Sequence, residues 1–364
     1  HSRSSWSIPL GERGFCSLLG GCALYDGGES PYASETTRLI QYTLMGGGVP
    51  GGQDPMMFVY PPLLFLPLLP LAILPLQWAV SVWVGTILLL LVNYLGYISL
   101  RWGNRNPWRV ISWWFCLLMG ALPFISISGT KGQLGILSMT AIFLAQKWSK
   151  GRVFWAGVFL ALALIKPNLA VIPVISFLVW GIIDRKYRFL AGFFITLAIL
   201  FFSSWLAVGN WLPGYFAMLQ ATGGAPIIWS YSALPFPWNL VYILLFIAIF
   251  IYAWVIYWKS RSNPPWQSAS ILLGMALLPM RWIYDLALGF LILADVQPPR
   301  RWNAVLVVFI LILPWILLIF SEPARWQAMV VILPLGWAII WMVNYFLARK
   351  VGISNQGSME TTVP

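Results

Sequence analysis

From Phe58 to Phe346 one near-continuous apolar run follows another, separated only by short hinges. A soluble domain has nowhere to put so much apolar chain. A helix that crosses a bilayer, by contrast, needs about 20 mainly apolar residues, and only helices or closed barrels satisfy their own backbone hydrogen bonds in hydrocarbon. Charge content decides between the two. Charged residues make up 9% of the chain, against roughly 25% in ordinary soluble domains. The fold class expected is an all-α, polytopic integral membrane protein with no soluble domain.

The formal net charge of +12 would suggest nucleic acid in a soluble chain. Position gives it another meaning. Fifteen of the 22 Lys and Arg residues fall in alternate hinges: Arg101, Arg105 and Arg109; Lys147, Lys150 and Arg152; Arg185, Lys186 and Arg188; Lys259 and Arg261; Arg300 and Arg301; Arg349 and Lys350. This is the positive-inside pattern of a multi-pass protein, and no basic stripe outside these hinges is left for nucleic acid. With basic hinges on the cytoplasmic side, eleven spans follow: 77–100, 110–128, 133–146, 152–165, 168–183, 189–208, 238–257, 266–280, 283–295, 303–320 and 327–347. The tail 348–364 is then cytoplasmic. Tryptophans at span ends, among them Trp102, Trp108, Trp148, Trp211, Trp238 and Trp258, read as interfacial belts.

The same parity places residues 1–57 outside. Residues 58–76 then cannot make a full crossing, and prolines at 61, 62, 67, 70 and 75 make a poor long helix. They are expected to form a short juxtamembrane helix, the alternative being a Pro-kinked span. Residues 1–57 are polar and Gly-rich with no spanning run, and the chain opens on His1 rather than Met. A truncated or mis-started N-terminus, with a first helix missing, is the expectation. A second external loop, 209–237, has no charged residue but holds Trp211, Tyr215, Trp229 and Tyr231. It reads equally as a cover for a sugar or lipid chain and as an inert interfacial loop.

Charges outside the basic hinges are few, and an ionisable residue at membrane depth points to function. Lys166 sits in the apolar run Leu164-Ile165-Lys166-Pro167. Lys131 lies in a hinge near 129–133, and Arg281 and Asp285 bracket another. All three hinges fall on the external face, and each opens an inward helix whose N-terminus favours an anion. Together they suggest a phosphate site, against a plainer reading of snorkelling span ends. Carboxylates for acid-base work on that face are Glu12, Asp26, Glu29, Glu35, Asp54, Asp285 and Glu322. No Cys/His spacing suits a metal, the only histidine is His1, and no metal or cofactor is expected. Cys16 and Cys22 are read either as a pair or as free thiols.

The run Gly28-Glu29-Ser30-Pro31-Tyr32, then Phe58-Val59-Tyr60-Pro61-Pro62-Leu63-Leu64, then Gly132-Gln133, Lys166-Pro167 and Tyr284-Asp285-Leu286 resembles glycosyltransferase family 87. These are bacterial transferases of the GT-C superfamily that use polyprenyl-phosphate sugars. The likeness covers roughly residues 14 to 295 and rests on the order of short motifs. It implies a GT-C-like helical bundle in the plasma membrane, with a juxtamembrane helix after an external loop and a missing first span. It also implies a polyprenyl-phosphate-sugar donor whose phosphate lies near Lys166, Lys131 and Arg281, with Tyr60, Gln133, Tyr284 and Asp285 beside it. The family's base is an Asp, often followed by Phe, ahead of the Pro-Tyr run. Here that position reads Gly14-Phe15, and Asp26 and Asp54 are the nearest substitutes. The activity expected is inverting transfer of a hexose or pentose to a lipid, glycan or protein acceptor at the external face. The other class is a transporter or flippase for a lipid-linked or small polar solute. Transporters place charges near the bilayer midplane and often show internal repeats, whereas the unusual charges here sit at one face.

Overall fold

The computed structural model describes residues 31–45, 59–104, 106–131, 134–222, 230–260, 265–278, 283–294, 296, 301–317 and 322–359. Among them every regular element is helical. The chain divides into two units, one of residues 1–91 and 125–227, the other of residues 92–124 and 228–364. The first holds α1 (Ser34–Met45), α2 (Phe65–Ala72), the first part of α3 (Leu76–Gly103), the end of α4 (Pro107–Lys131), α5 (Gly135–Trp148), α6 (Val153–Ala163), α7 (Pro167–Ile183), α8 (Tyr187–Val208) and α9 (Leu212–Thr222). The second holds the remainder of α3 and α4, with α10 (Trp238–Ser260), α11 (Trp266–Leu277), α12 (Phe290–Leu293), α13 (Arg301–Leu317) and α14 (Glu322–Met359).

Among the described residues, four stretches are long and apolar enough to cross a membrane: Gln77–Gly103, Tyr187–Val208, Trp238–Lys259 and Ala328–Phe346. At 1.5 Å per residue, a helix of 22 residues reaches about 33 Å, the thickness of the hydrocarbon core. Only 28% of the apolar window in Tyr187–Val208 and in Trp238–Lys259 is buried within the protein. The rest, including Phe194, Ile195, Ile199, Phe202 and Leu206, faces outward. An apolar face of that size belongs in lipid, and the chain is a helical membrane protein. The expected count of eleven spans is not carried by these lengths: Val153–Ala163, Pro167–Ile183, Trp266–Leu277 and Ala304–Leu317 are apolar but shorter.

Residues 59–75 hold a 3-10 turn, Pro62–Leu64, followed by α2. Pro61 is extended, and Pro62 opens the turn where its missing N–H costs nothing. The apolar stretch Pro62–Leu71 is about 15 Å long, half a hydrocarbon core. The chain restarts at Pro75, whose carbonyl accepts from Trp78 and Ala79 at 2.9 and 3.0 Å. The expected span 283–295 is instead a seven-residue 3-10 helix, Ile283–Gly289, and the single turn α12. Residues 285–294 are all buried. Apolar periodicity does not separate a short 3-10 run from an α-helix, so nothing in the residue pattern marks the break.

Two of the belt tryptophans are packing residues. Trp102 is 3% exposed, donates its indole N–H to the Val296 carbonyl at 3.2 Å and meets Trp113 edge-on. Trp211 is 5% exposed in a cluster with Leu63 and Leu200. Trp108, Trp238 and Trp258 are exposed, as a belt requires. Position at a helix end does not reveal which side of the helix is covered.

Glycine sets the packing in the first unit. A Cβ on Gly157 would strike the Phe189 carbonyl, and one on Gly192 would strike the Phe154 carbonyl. The backbones of α6 and α8 therefore touch, as small residues allow between membrane helices. Further along, Leu162 of α6 and Leu197 and Leu200 of α8 belong to one cluster with Leu63 and Trp211. The starts of the two helices meet around 154–157 and 189–193 and their later residues meet in this cluster, so the helices run parallel. α7 returns between them: Gly181 and Trp180, near its end, pack on Phe189, near the start of α8. The turn is closed by Lys186 N–H on the Gly181 carbonyl at 2.7 Å, with Arg185 in the left-handed region at φ 53°. The hinges 149–152 and 184–186 thus lie at one end of this unit. The other end holds Leu134, Leu164–Lys166 and Trp211.

In the second unit the 3-10 segment lies against α14, where a Cβ on Gly289 would meet the Trp337 indole. The Tyr94 hydroxyl donates to the Phe290 carbonyl at 2.6 Å. α11 is buried on every side, with Trp266 stacked on Trp254 at 5.0 Å between centroids.

Gly157→Ala and Gly192→Ala should each destabilise the protein by about 1–3 kcal/mol, because backbone cannot yield as a side chain can. Gly289→Ala should cost a similar amount in the second unit. Gly85, where an added Cβ would meet nothing within 4 Å, is the control: Gly85→Ala should be neutral or stabilising by up to about 1 kcal/mol. Thermal unfolding in detergent measures all four, and equal losses at Gly85 and Gly192 would refute the backbone contact.

Candidate functional site

Lys166 is 4% exposed. Its placement follows from its neighbours in sequence. α6 ends at Ala163, and the next residues tighten into three-residue turns: Leu164 N–H to Ala161 O, Ile165 N–H to Leu162 O and Lys166 N–H to Ala163 O, at 3.1 to 3.2 Å. Pro167 then opens α7, and the residue before a proline is driven out of the helical region; Lys166 takes φ −128° and ψ 81°. Its own carbonyl accepts from Leu169 at 3.1 Å, the first bond of α7. The Ser138 hydroxyl of α5 donates a second bond to the Ala163 carbonyl at 2.9 Å, at the end of α6. The backbone at Lys166 is held from both sides.

Segments far apart in sequence meet at this end of the unit. One buried cluster joins Leu64, Phe65 and Leu68 of the Pro-rich stretch, Trp83 of α3, Leu134 and Ile136 at the start of α5, and Ile165, with Tyr32 and Tyr60 packed against it. A second joins Leu63, Leu200 and Trp211, with Tyr32 and Tyr215 at its edge. Tyr32 belongs to both. Its hydroxyl donates to the Tyr60 carbonyl at 2.7 Å, and its ring lies 5.7 Å from that of Tyr215, which lies 6.0 Å from Trp211.

The electrostatics of the two tyrosines define what they can do. Burial, with Tyr215 beside it, pushes the Tyr32 phenol well above its ordinary value. Burial pushes Tyr215 up as well. Both remain neutral hydroxyls at any working pH, so they can donate hydrogen bonds but cannot act as bases. In the first unit the described carboxylates are Glu35, exposed in the first turn of α1, and Asp184, at the opposite end. Among the described residues no group of three or more His, Cys, Asp or Glu could hold a metal ion.

The sequence-derived candidates fall into three sets. Tyr60 and Lys166 lie at the same end of the first unit, where Leu134 and Ile136 of the α5 start also pack. Lys131 is the last residue of α4, in the same unit. Asp285 belongs to the second unit, where it is 0% exposed in the 3-10 segment, and Tyr284 precedes it there. Asp26, Asp54, Gln133 and Arg281 lie outside the described residues, as do Cys16 and Cys22. Sequence reasoning does not reach Tyr32, Trp211 and Tyr215 as site residues. Tyr32 stands inside a recognised motif, and the other two stand in the uncharged aromatic loop; what their spacing cannot show is that they meet.

The sequence model of glycosyltransferase family 87 matches residues 58–281. No match emerges among curated proteins or among solved structures. The matched region takes in Tyr60, Lys131, Gln133, Lys166 and Arg281 and ends ahead of Tyr284 and Asp285. It spans more than half of the chain and contains the whole convergence around Lys166 except Tyr32, and on that evidence the chain belongs to glycosyltransferase family 87.

Proposed function

We propose that this glycosyltransferase moves a hexose or pentose from a polyprenyl-phosphate sugar to a lipid, glycan or protein acceptor, on the external face of the plasma membrane and with inversion. The observation that carries the reading is the meeting of Tyr32, Tyr60, the α5 start and the Lys166 turn at the end of the first unit away from the basic hinges. By the positive-inside rule the basic end is cytoplasmic, and the Lys166 end is then external. In this reading the bundle is GT-C-like, with eleven crossings, residues 58–76 as a juxtamembrane helix and residues 209–237 as an external loop.

In the reaction, the acceptor oxygen attacks the anomeric carbon as the bond from that carbon to the phosphate oxygen breaks. A carboxylate takes the acceptor proton, and polyprenyl phosphate leaves with the electron pair. Asp26 and Asp54 are the candidates for the base, and Glu35 joins them because Tyr32 anchors its segment. Lys166, with Lys131, stabilises the charge on the departing phosphate. Gln133 and Tyr60 position the sugar and its phosphate. An ammonium in apolar surroundings holds a phosphate far more strongly than one in water. A transporter reading has less support, since family membership favours transfer chemistry.

Lys166→Ala should weaken binding of a polyprenyl-phosphate sugar by about ten- to a hundredfold, the value of one hydrogen bond between charged groups. Lys166→Arg should be milder, since a planar fork replaces a compact ammonium. Titration of the purified protein measures this; unchanged affinity in a folded Lys166→Ala would remove Lys166 from the site. Orientation has its own test. Cysteines introduced at Asn104 and at Ser149 should be shielded from an impermeant external thiol reagent in intact cells, and one at Ser232 should be labelled. The reverse pattern would put the site on the cytoplasmic face.

A further inference from the structure

The end of the first unit away from Lys166 carries a groove that the proposed chemistry does not use. It has a volume of about 320 Å³ and is lined by Gly151, Arg152, Val153, Phe154, Trp155 and Arg188. That volume is at the lower edge of the range of small-molecule sites, roughly 300–1,000 Å³. Its two polar side chains are both guanidinium groups, and no carboxylate lines it.

We infer that this groove holds the phosphate headgroup of an anionic phospholipid. The chemistry is complementary in two ways. Arginine presents a planar fork of N–H donors that matches phosphate oxygens in pairs. Arg152 stacks its guanidinium over the Trp148 ring at 5.4 Å, which fixes its plane and leaves its edge donors usable. The walls beside the cations are aromatic: Phe154 is 37% and Trp155 52% exposed. Such rings suit the depth where a headgroup gives way to acyl chains. The exposed apolar face of α8 continues from there through Phe194, Ile195, Ile199 and Phe202. A free phosphate ion would use only the arginines. A phospholipid uses the arginines, the rings and the apolar face together.

The groove is built by the fold rather than by a flexible charge run. Arg152 immediately precedes α6 and Arg188 is the second residue of α8. The Gly157 and Gly192 contact holds these two helix starts side by side. The surrounding hinges add Lys147, Lys150, Arg185 and Lys186 against one acid, Asp184, so the local field favours an anion.

The test uses the full chain purified in detergent and native mass spectrometry with phosphatidylglycerol and phosphatidylcholine. Phosphatidylglycerol should be retained and phosphatidylcholine lost. Arg152→Gln with Arg188→Gln should cut retention of phosphatidylglycerol roughly thirtyfold, about fivefold for each cation. Lys147→Gln with Lys150→Gln removes the same charge outside the groove and should change retention by less than about threefold. If the glutamine pair fails to fold, Arg152→Lys with Arg188→Lys keeps the charge without the fork and should still lower retention several-fold. Equal retention by the groove variants, or an equal loss in the lysine control pair, would overturn the assignment. Displacement by soluble glycerol phosphate at the same concentration as the lipid would overturn it too, and would identify a site for a soluble anion. None of these outcomes depends on the transfer reaction.

Discussion

The first unit depends on the place where α6 and α8 touch backbone to backbone, at Gly157 and Gly192. Water expelled from apolar surface cannot drive two helices together inside lipid, so close packing must supply the attraction. Removing both side chains lets the helices approach until carbonyl oxygens stand where Cβ atoms would be. The parallel course of the two helices follows, and with it the polarity of the unit. Two helices starting at the same end require a third to come back between them. α7 does so in a turn short enough to need left-handed backbone at Arg185. The separation of the arginine hinges from Lys166 is therefore a consequence of helix packing, and only secondarily of where cations were placed in the sequence.

Charges at the two ends do different physical work. Among the described hinge arginines, Arg101, Arg109, Arg152, Arg185 and Arg188 are exposed and screened within a Debye length of about 8 Å at physiological ionic strength. In the proposed orientation they face the cytoplasm. Lys166 is removed from water, and a cation there must be compensated by hydrogen bonds or an anion. The turn that buries it is unusually well determined: proline fixes one side, the Ser138 bond to Ala163 supports the other, and Ile165 is anchored in a core shared with the Pro-rich stretch.

Much of this organisation is legible in the sequence because membrane proteins obey few rules strictly. Apolar run length points to the fold class, and hinge charges point to a polarity consistent with the parallel α6 and α8. The Lys166-Pro167 pair stands out because an apolar flank makes any cation conspicuous. Other features are hidden for physical reasons. Trp102 and Trp211 occupy helix ends, as belt residues do, yet pack inward, because burial depends on which neighbour arrives. The seven-residue 3-10 segment around Asp285 has the same apolar pattern as a span. The contact of Tyr32 with Tyr60 crosses 28 residues of sequence and leaves no periodic trace.

The aromatic group at the Lys166 end bears on the donor proposed above, a lipid-linked sugar. Tyr32, Tyr215 and Trp211 bring large apolar faces with a polar atom each, and they carry no charge. A charged wall there would compete with the donor phosphate for Lys166 or repel a polyprenyl chain. Neutral phenols do neither, and burial keeps them neutral. The same neutrality denies them the role of base, because a phenol held above its ordinary value cannot accept the acceptor's proton. In the proposed reaction proton removal then falls to a carboxylate, and five of the seven carboxylates read as external lie ahead of residue 58. Tyr32 ties the start of α1, which carries Glu35, to the Lys166 end through its bond to the Tyr60 carbonyl. Loss of its hydroxyl would leave Lys166 and the apolar clusters in place while freeing the start of α1, so under the proposed mechanism it would lower the rate of transfer more than the affinity for the donor.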